Sequence, residues 1–272
     1  MTLKKELNND IRIKKSNTSL FRSPYSEEEK EAIARFFKGN REIDLFNGIN
    51  VRLEEMAELD RATELTVSIT SFFDLLSTNI LLLNYDKWVS SADTTMRELI
   101  SKEKKLFDRD GEPNSLEDII SRNYLSNAMA VSVLIFDSKG NYLFTKRNNK
   151  VAISSNMASV STTGAIDGED YCCDNPILEC ARREVKEELE VEIQSNQIEI
   201  REIVAGKSKM QPIVLCDVQI DDVVMAVEII KQRSCFITEH SEICVVKKEN
   251  LKQFLQDNSF TEAATEHIML HL

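Results

Sequence analysis

Three glutamates in the second half of the chain, Glu184, Glu187 and Glu188, have the residue type and spacing for metal-dependent chemistry. At 100° per residue they fall within an arc of ~100° on one helix face. Like charges three and four residues apart each destabilise a helix by a few tenths of a kcal/mol. A hard divalent cation would neutralise them, because carboxylate oxygens are its preferred ligands. The alternative is a solvated charged face.

The elements around these glutamates can hold them in place. A helix is predicted from Pro176 to about Glu190, with Asp174 or Asn175 as its N-cap and proline in its first turn. Its apolar stripe can dock on a sheet and consists of Leu178, Ala181, Val185 and Leu189. Before it lies a loop with two of the seven glycines, Gly164 and Gly168. Such a loop lets the backbone approach a ligand closely.

The rest of the second half alternates strands and helices. Residues 128–136 read as a buried strand, 137–141 as a turn and 142–146 as a returning strand. Further strands are predicted at 157–163, 198–205, 213–220 and 243–246, and closing helices at 250–256 and 261–270. This pattern indicates a mixed sheet covered by helices, which is an α+β fold.

The first half predicts a smaller α+β unit. Residues 26–37 read as a helix that Ser26 caps and Gly39 ends. A strand is expected at 65–69, an apolar helix or buried segment at 74–88, and a helix at 91–107. Turn formers at 108–115 indicate a boundary. We therefore predict a flexible arm at 1–25, an N-terminal α+β domain at 26–122 and a second domain at 123–272.

Composition excludes several classes of protein. The 34 basic and 46 acidic residues give a net charge of −12, which repels phosphate backbones, so no nucleic-acid partner is expected. No segment has the ~20 apolar residues of a membrane span. The sequence lacks CxxC pairs and has three histidines, so a zinc cage is not expected. Without a secretion signal, reduced thiols in the cytoplasm are predicted.

Residues 164–169 (Gly-Ala-Ile-Asp-Gly-Glu) and 183–188 (Arg-Glu-Val-Lys-Glu-Glu) resemble the Nudix box of the Nudix hydrolases. That box is a glycine loop followed by a helix with R-E-apolar-x-E-E-x-G-apolar. Three departures are present: Glu190 replaces the glycine after the helix, Ala165 replaces the second loop glycine, and about six residues are inserted around 171–176. The resemblance implies the α-β-α sandwich of the Nudix fold, with a changed helix exit and loop geometry.

The resemblance also implies roles for individual residues. Glu184, Glu187 and Glu188 would bind Mg²⁺ or Mn²⁺, and Arg183 would orient their carboxylates. A carbonyl of the glycine loop, from Gly164 or Ala165, would complete the metal site. The catalytic set would be Arg183, Glu184 and a glutamate on a late loop, with Glu239 the first candidate and Glu242 the second. The implied chemistry is attack of water on a nucleoside diphosphate linkage.

Two segments of the first half extend the resemblance. Residues 45–53 (LFNGINVRL) and 70–79 (TSFFDLLSTN) are similar to segments in the N-terminal domain of Nudix UDP-sugar diphosphatases. The implied reaction converts a UDP-sugar and water into UMP and a sugar 1-phosphate. The implied partner is therefore a small-molecule nucleotide sugar, and a homodimer is possible because Nudix enzymes commonly pair.

Two other functions remain open at this point. Cys172 and Cys173 resemble the cysteine loop of isopentenyl diphosphate isomerases, which share the Nudix fold, although this loop has no histidine. Alternatively, a Nudix-fold module could sense a nucleotide without hydrolysing it. His240 is expected to be a surface histidine, and Trp88 a core or interdomain packing residue.

Overall fold

The computed structural model describes residues 2–8, 10–39, 45–82, 85–148, 157–232 and 240–272. The strands in these ranges are β1 Thr2–Glu6, β2 Asp10–Leu20, β3 Ile49–Glu58, β4 Ala62–Ser71, β5 Ala130–Asp137, β6 Asn141–Arg147, β7 Ala158–Ser159, β8 Thr162–Ala165, β9 Ile198–Gly206, β10 Ile213–Ile220 and β11 His240–Lys247.

The α-helices in the same ranges are α1 Glu27–Lys38, α2 Phe72–Leu75, α3 Tyr85–Ser91, α4 Thr94–Asp110, α5 Leu116–Ser121, α6 Gly168–Cys172, α7 Pro176–Leu189, α8 Val223–Ile230, α9 Leu251–Asp257 and α10 Glu262–Met269. A π-helical turn, Leu76–Ile80, continues α2.

Eight of the described strands form the main sheet, in the order β1-β9-β10-β5-β6-β11, with β8 beside β5 and β7 beside β6. The central pair β5 and β10 is parallel and in register from Ala130 and Ile213 to Asp137 and Ile220. Because side chains alternate along a strand, Val131 and Val133 face one side of the sheet and Leu134 faces the other.

Helices cover both faces of this sheet. The α7 residues Ala181 and Val185 belong to the core cluster that contains Val131 and Val133. On the opposite face, Ile268 of α10 packs in a second cluster with Leu134 and Phe144. The predicted α-β-α sandwich of an α+β protein is confirmed.

The second described sheet has the order β2-β4-β3, with β2 parallel to β4 and β3 antiparallel to it. Its inward residues Leu53 and Val67 join the same core cluster as Val131 of the main sheet. The two sheets therefore share one hydrophobic core, and the boundary at residues 122 and 123 stays a prediction.

The prediction of a flexible arm at residues 1–25 is wrong. Strand β1 pairs antiparallel with β9, with Leu3 opposite Ala205, and β2 pairs with β4 along most of its length. Leu3 is buried, and Ile11 and Ile13 pack against the core. Charged residues are interspersed among the apolar residues of these strands, so the local sequence does not indicate a buried strand. Only pairing with β9 and β4 stabilises these segments as strands.

Several predicted elements are confirmed. Helix α1 begins after Ser26, whose side chain and Glu29 form a capping box, and it ends at Gly39 with φ 52°. Strands β5, β6, β9 and β10 lie where hydrophobic patterning predicts them. The strand expected at 157–163 is divided into β7 and β8.

Within the described ranges, no helix has the length and apolar character to cross a bilayer.

Candidate active site

Helix α7 places the acidic residues against the sheet. Asn175 caps the helix, because its Oδ1 accepts hydrogen bonds from the backbone N–H groups of Ile177 and Leu178 at 3.1 and 3.2 Å. Pro176 is in the first turn. Ala181 and Val185 are fully buried against the main sheet. This docked stripe fixes the rotation of the helix and thereby the direction of its glutamates.

The three glutamates are in different environments. Glu184 and Glu188, one turn apart, are only 9% and 5% exposed, whereas the Glu187 side chain is 60% exposed. The Glu184 carboxylate lies against Gly164, where an added Cβ would stand 1.8 Å from its Cδ. Gly164 is therefore required because it leaves space for this carboxylate. The prediction that its carbonyl binds a metal stays a prediction.

Burial makes it unfavourable for both carboxyl groups of the Glu184–Glu188 pair to be ionised without a cation. Desolvation, followed by repulsion from Glu188, raises the pKa of Glu184 to about 8. Arg183 opposes this shift but does not abolish it. Two carboxylates close together in a desolvated place are the arrangement that a bound cation stabilises.

Arg183 links the glycine loop to the helix. Its Nη1 donates to Glu184 at 2.8 Å and to Glu187 at 3.1 Å, and its Nη2 donates to the Ala165 carbonyl at 3.1 Å. Its Nε and Nη2 also grip both carboxylate oxygens of Asp170, at 3.2 and 2.8 Å. A bidentate ion pair is among the strong side-chain contacts, and no motif or spacing in the sequence predicts that Asp170 takes part in it.

Asp170 lies between the glycine loop and the inserted residues. It belongs to α6, which Asp167 caps in a capping box with Asp170. This short helix between the glycine loop and α7 is the form that the altered loop geometry takes, and it supplies a carboxylate for Arg183. The expected change at the helix exit is wrong, because Glu190 adopts the left-handed conformation (φ 53°, ψ 31°) that a glycine usually takes.

Glu188 is held by two partners distant in sequence. Its Oε2 accepts hydrogen bonds from the Thr162 hydroxyl and from Nε2 of His240, the latter at 2.8 Å. His240 is 3% exposed, so the prediction of a surface histidine is wrong. Strand β11 pairs with β6 and brings His240 to the site from 52 residues away. No sequence spacing signals such a contact.

The two late-loop candidates have different outcomes. Glu239 lies outside the described residues. Glu242 is exposed and forms a 2.8 Å ion pair with Lys146 on the neighbouring strand. That surface pair explains Glu242 without a catalytic role, and Glu239 stays a prediction.

A cationic side chain, Arg147, contacts β8 and also acts electrostatically on Lys209. Arg147 donates from Nη1 to the Thr163 hydroxyl at 3.1 Å. Burial and the charge of Arg147 lower the pKa of Lys209 to about 8. Thr163 precedes Gly164, so Arg147 lies beside the strand that borders the acidic pair. In a chain of net charge −12, it is a local site of attraction for an anion.

The N-terminal sheet borders the glycine loop. The Val51 N–H donates to the Ile166 carbonyl at 2.8 Å, and Asn50 forms an isolated bridge with Asp167. Strand β3 therefore runs along the loop that packs against Glu184. This contact makes the N-terminal half part of the wall around the site.

The cysteines make local contacts. The Cys172 thiol donates to the Gly168 carbonyl at 3.4 Å, inside α6, and Cys180 is buried and donates to the Ala165 carbonyl at 3.4 Å. These contacts explain the cysteines as packing and loop residues. Trp88 packs on Phe36 and Phe37, which confirms its predicted packing role.

The donor set fits a divalent cation. Glu184, Glu187 and Glu188 provide oxygen ligands of the kind that Mg²⁺ and Mn²⁺ prefer. The raised pKa of Glu184 shows that the nearby protein cations leave the pair incompletely neutralised. Glu184 and Glu188 would hold the ion from the buried side, and Glu187 lies on the solvent side.

No protein-family model matches this chain, and no curated protein matches its sequence. Among solved structures it is similar to DR0079 from Deinococcus radiodurans, with 17% identity and a TM-score of 0.37 over 53% of this chain and 82% of that one. It is also similar to a MutT protein from Methanosarcina mazei Go1, with 14% identity and a TM-score of 0.34 over 53% of this chain and 91% of that one. Neither similarity assigns a function to this chain.

Proposed function

We propose that this protein is a metal-dependent hydrolase of the Nudix type that cleaves a nucleoside diphosphate-linked substrate. The observation that carries the proposal is the buried, incompletely neutralised pair Glu184 and Glu188, oriented by Arg183 on a helix that follows a glycine loop. A fold has no structural need for such a pair, because burying like charges together costs stability. Its presence supports a role in holding a cation.

The chemistry follows from the charges around this pair. When bound, Mg²⁺ or Mn²⁺ would neutralise diphosphate oxygens and lower the pKa of the attacking water. Arg183 holds the Glu184 carboxylate, while Thr162 and His240 hold that of Glu188. Arg147, which contacts Thr163 next to Gly164, supplies positive charge that would attract phosphate oxygens. Glu239 remains the candidate for accepting the proton of the water.

For the substrate, we propose a UDP-sugar, converted with water into UMP and a sugar 1-phosphate. The two segments that resemble UDP-sugar diphosphatases contact each other directly: Phe73 N–H donates to Asn47 Oδ1 at 2.8 Å, and Phe72 N–H donates to the Gly48 carbonyl at 2.9 Å. The first segment includes Val51, which bonds the glycine loop. Their position supports a part in substrate recognition. The homodimer and the cytoplasmic location remain predictions.

The experiment is a substrate panel with identified products. The protein is incubated with Mg²⁺ and UDP-glucose, UDP-galactose, ADP-ribose or isopentenyl diphosphate, with EDTA as the control. We expect UMP and sugar 1-phosphate from a UDP-sugar, only when the metal is present. Binding without cleavage would replace the proposal with the nucleotide-sensing module, and isomerisation of isopentenyl diphosphate would replace it with the isomerase.

The pH dependence of stability tests the acidic pair without a substrate. The pKa of Glu184 in the metal-free protein, about 8, lies above its ordinary value of 4.5. Between these values the folded protein retains a proton that the unfolded chain has released. The free energy of unfolding should therefore fall as pH rises from about 5 to 8.

Thermal unfolding in EDTA across this range measures the effect, and the Glu184→Gln variant is the control. Glu103, whose pKa burial raises to about 9, acts with the same sign in both proteins, so their difference isolates Glu184. Millimolar Mg²⁺ should flatten the wild-type profile. Parallel profiles for wild type and variant in EDTA would contradict the assignment.

A further inference from the structure

A second cluster of metal-ligating side chains lies on the opposite face of the main sheet from α7. Asp217 of β10 accepts hydrogen bonds at a single oxygen, Oδ1, from Nε2 of His267 and Nε2 of His271, each at 3.0 Å. These three ligand atoms lie within 4.8 Å of one another. The side chains of Asp217 and His267 are almost fully buried, and that of His271 is 11% exposed.

The alternation of side chains along β10 and the four-residue spacing of the two histidines bring these residues together. Along β10, Cys216 and Val218 face the core beneath α7, whereas Leu215 packs with Ala263 of α10, so Asp217 also faces α10. His267 lies in the last turn of α10, and His271 follows four residues later, in the turn just after the helix ends. A strand carboxylate and an i, i+4 histidine pair thus converge from elements 50 residues apart.

Two hydroxyl groups orient the imidazole rings. The Ser132 hydroxyl is 3.1 Å from Nδ1 of His267, and the Tyr142 hydroxyl is 3.3 Å from Nδ1 of His271. Each hydroxyl can donate to an unprotonated nitrogen or accept from a protonated one. Each ring can therefore adopt the tautomer that carries its proton on Nδ1 and donates it to the hydroxyl. Both Nε2 lone pairs would then point at Asp217, with the hydroxyls as the outer partners that metal-binding histidines usually have.

We propose that Asp217, His267 and His271 form a binding site for a borderline transition-metal ion, Zn²⁺ in the first instance, separate from the Mg²⁺ chemistry of α7. Two imidazole nitrogens and one carboxylate oxygen suit Zn²⁺, whereas Mg²⁺ prefers oxygen ligands alone. Water would complete a tetrahedral set. Arg201 Nε lies 3.8 Å from Asp217 Oδ2, but its Nη1 also pairs with Glu199 at 2.8 Å, which partly offsets its charge. The ion would join α10 to the sheet.

The test uses the full chain, stripped with EDTA and assayed in excess Mg²⁺. Titration with Zn²⁺ should show one saturating equivalent in this site and raise the thermal midpoint by about 5 °C or more at 100 times the dissociation constant. Co²⁺ should give the visible absorption of a tetrahedral nitrogen and oxygen site, without the charge-transfer band of a thiolate ligand. The absence of that band would show that the ion is not bound by the exposed thiol of Cys172.

Variants locate the ion. His271→Ala, at the partly exposed ligand, and Asp217→Asn should weaken binding by about 100-fold or more and abolish the Co²⁺ spectrum. Glu266→Gln, on the same helix, is the matched control and should bind as the wild type does, as should Glu188→Gln in the other site. Zn²⁺ binding unchanged in both His271→Ala and Asp217→Asn, or no saturable binding by the wild type, would overturn the proposal. Neither result would test the proposed hydrolysis with Mg²⁺, which depends on the residues of α7.

Discussion

Replacing Glu184 or Glu188 with glutamine should lower kcat for the proposed nucleotide-sugar substrate by about 10³-fold, equivalent to about 4 kcal/mol of transition-state stabilisation. Both carboxylates are buried, and a neutral amide is a poor ligand for Mg²⁺. Folding should survive, because glutamine keeps the size of the side chain and cannot carry the negative charge that burial disfavours at this position. In EDTA, the thermal midpoint should be unchanged or higher than that of the wild type.

Glu187→Gln is the matched control, since it is the same substitution on the same helix face. The Glu187 side chain is 60% exposed, so solvent screens its charge, and we expect a loss of about tenfold or less. Sequence spacing predicts equal importance for the three glutamates, whereas burial separates one from the other two. Steady-state kinetics at saturating Mg²⁺ measures the difference.

Gly164→Ala should disrupt the same metal site without removing an acidic residue. The new Cβ would occupy the position of the Glu184 carboxylate, 1.8 Å from its Cδ, and would force that group away. We expect weaker Mg²⁺ binding and a large loss of activity, although every acidic residue remains. Near wild-type activity in Glu184→Gln, Glu188→Gln and Gly164→Ala would refute the assignment of the metal site.

Arg183→Ala should destabilise the protein by about 3–5 kcal/mol in addition to inactivating it. The substitution leaves the Asp170 side chain, 1% exposed, without the guanidinium that binds both its oxygens. It also removes donors to Glu184 and to the Ala165 carbonyl. Arg183→Lys should recover only part of the stability, because an ammonium cannot reproduce the bidentate geometry.

Arg182→Ala is the control for this prediction. Arg182 is the neighbouring residue on α7, but it binds the partly exposed Glu179 at 2.9 Å and the Ile193 carbonyl at 3.2 Å. Such a pair contributes about 1 kcal/mol or less. Urea unfolding of the two variants compares them directly. Equal midpoints would show that Arg183 does not organise the loop and helix.

Local patterns predicted much of the second half of the fold. The strands around residues 130–137 and 213–220 and the helix at 176–189 follow from runs of apolar residues and from caps a few residues away. The prediction of a flexible arm at residues 1–25 is wrong, because β1 and β2 are buried by pairing with β9 and β4, which lie far along the chain. A strand with many charges has no local signal that its alternate residues will be covered.

From the sequence alone, the type and spacing of Glu184, Glu187 and Glu188 already defined a candidate metal site, because one helical turn relates them. Tertiary structure alone decided which of them are buried. It also decided that Asp170, Thr162 and His240 hold the site together, and that Asp217 meets two histidines from the end of the chain. Those contacts join residues 13 to 54 positions apart, and only strand pairing and helix docking determine which distant side chains meet.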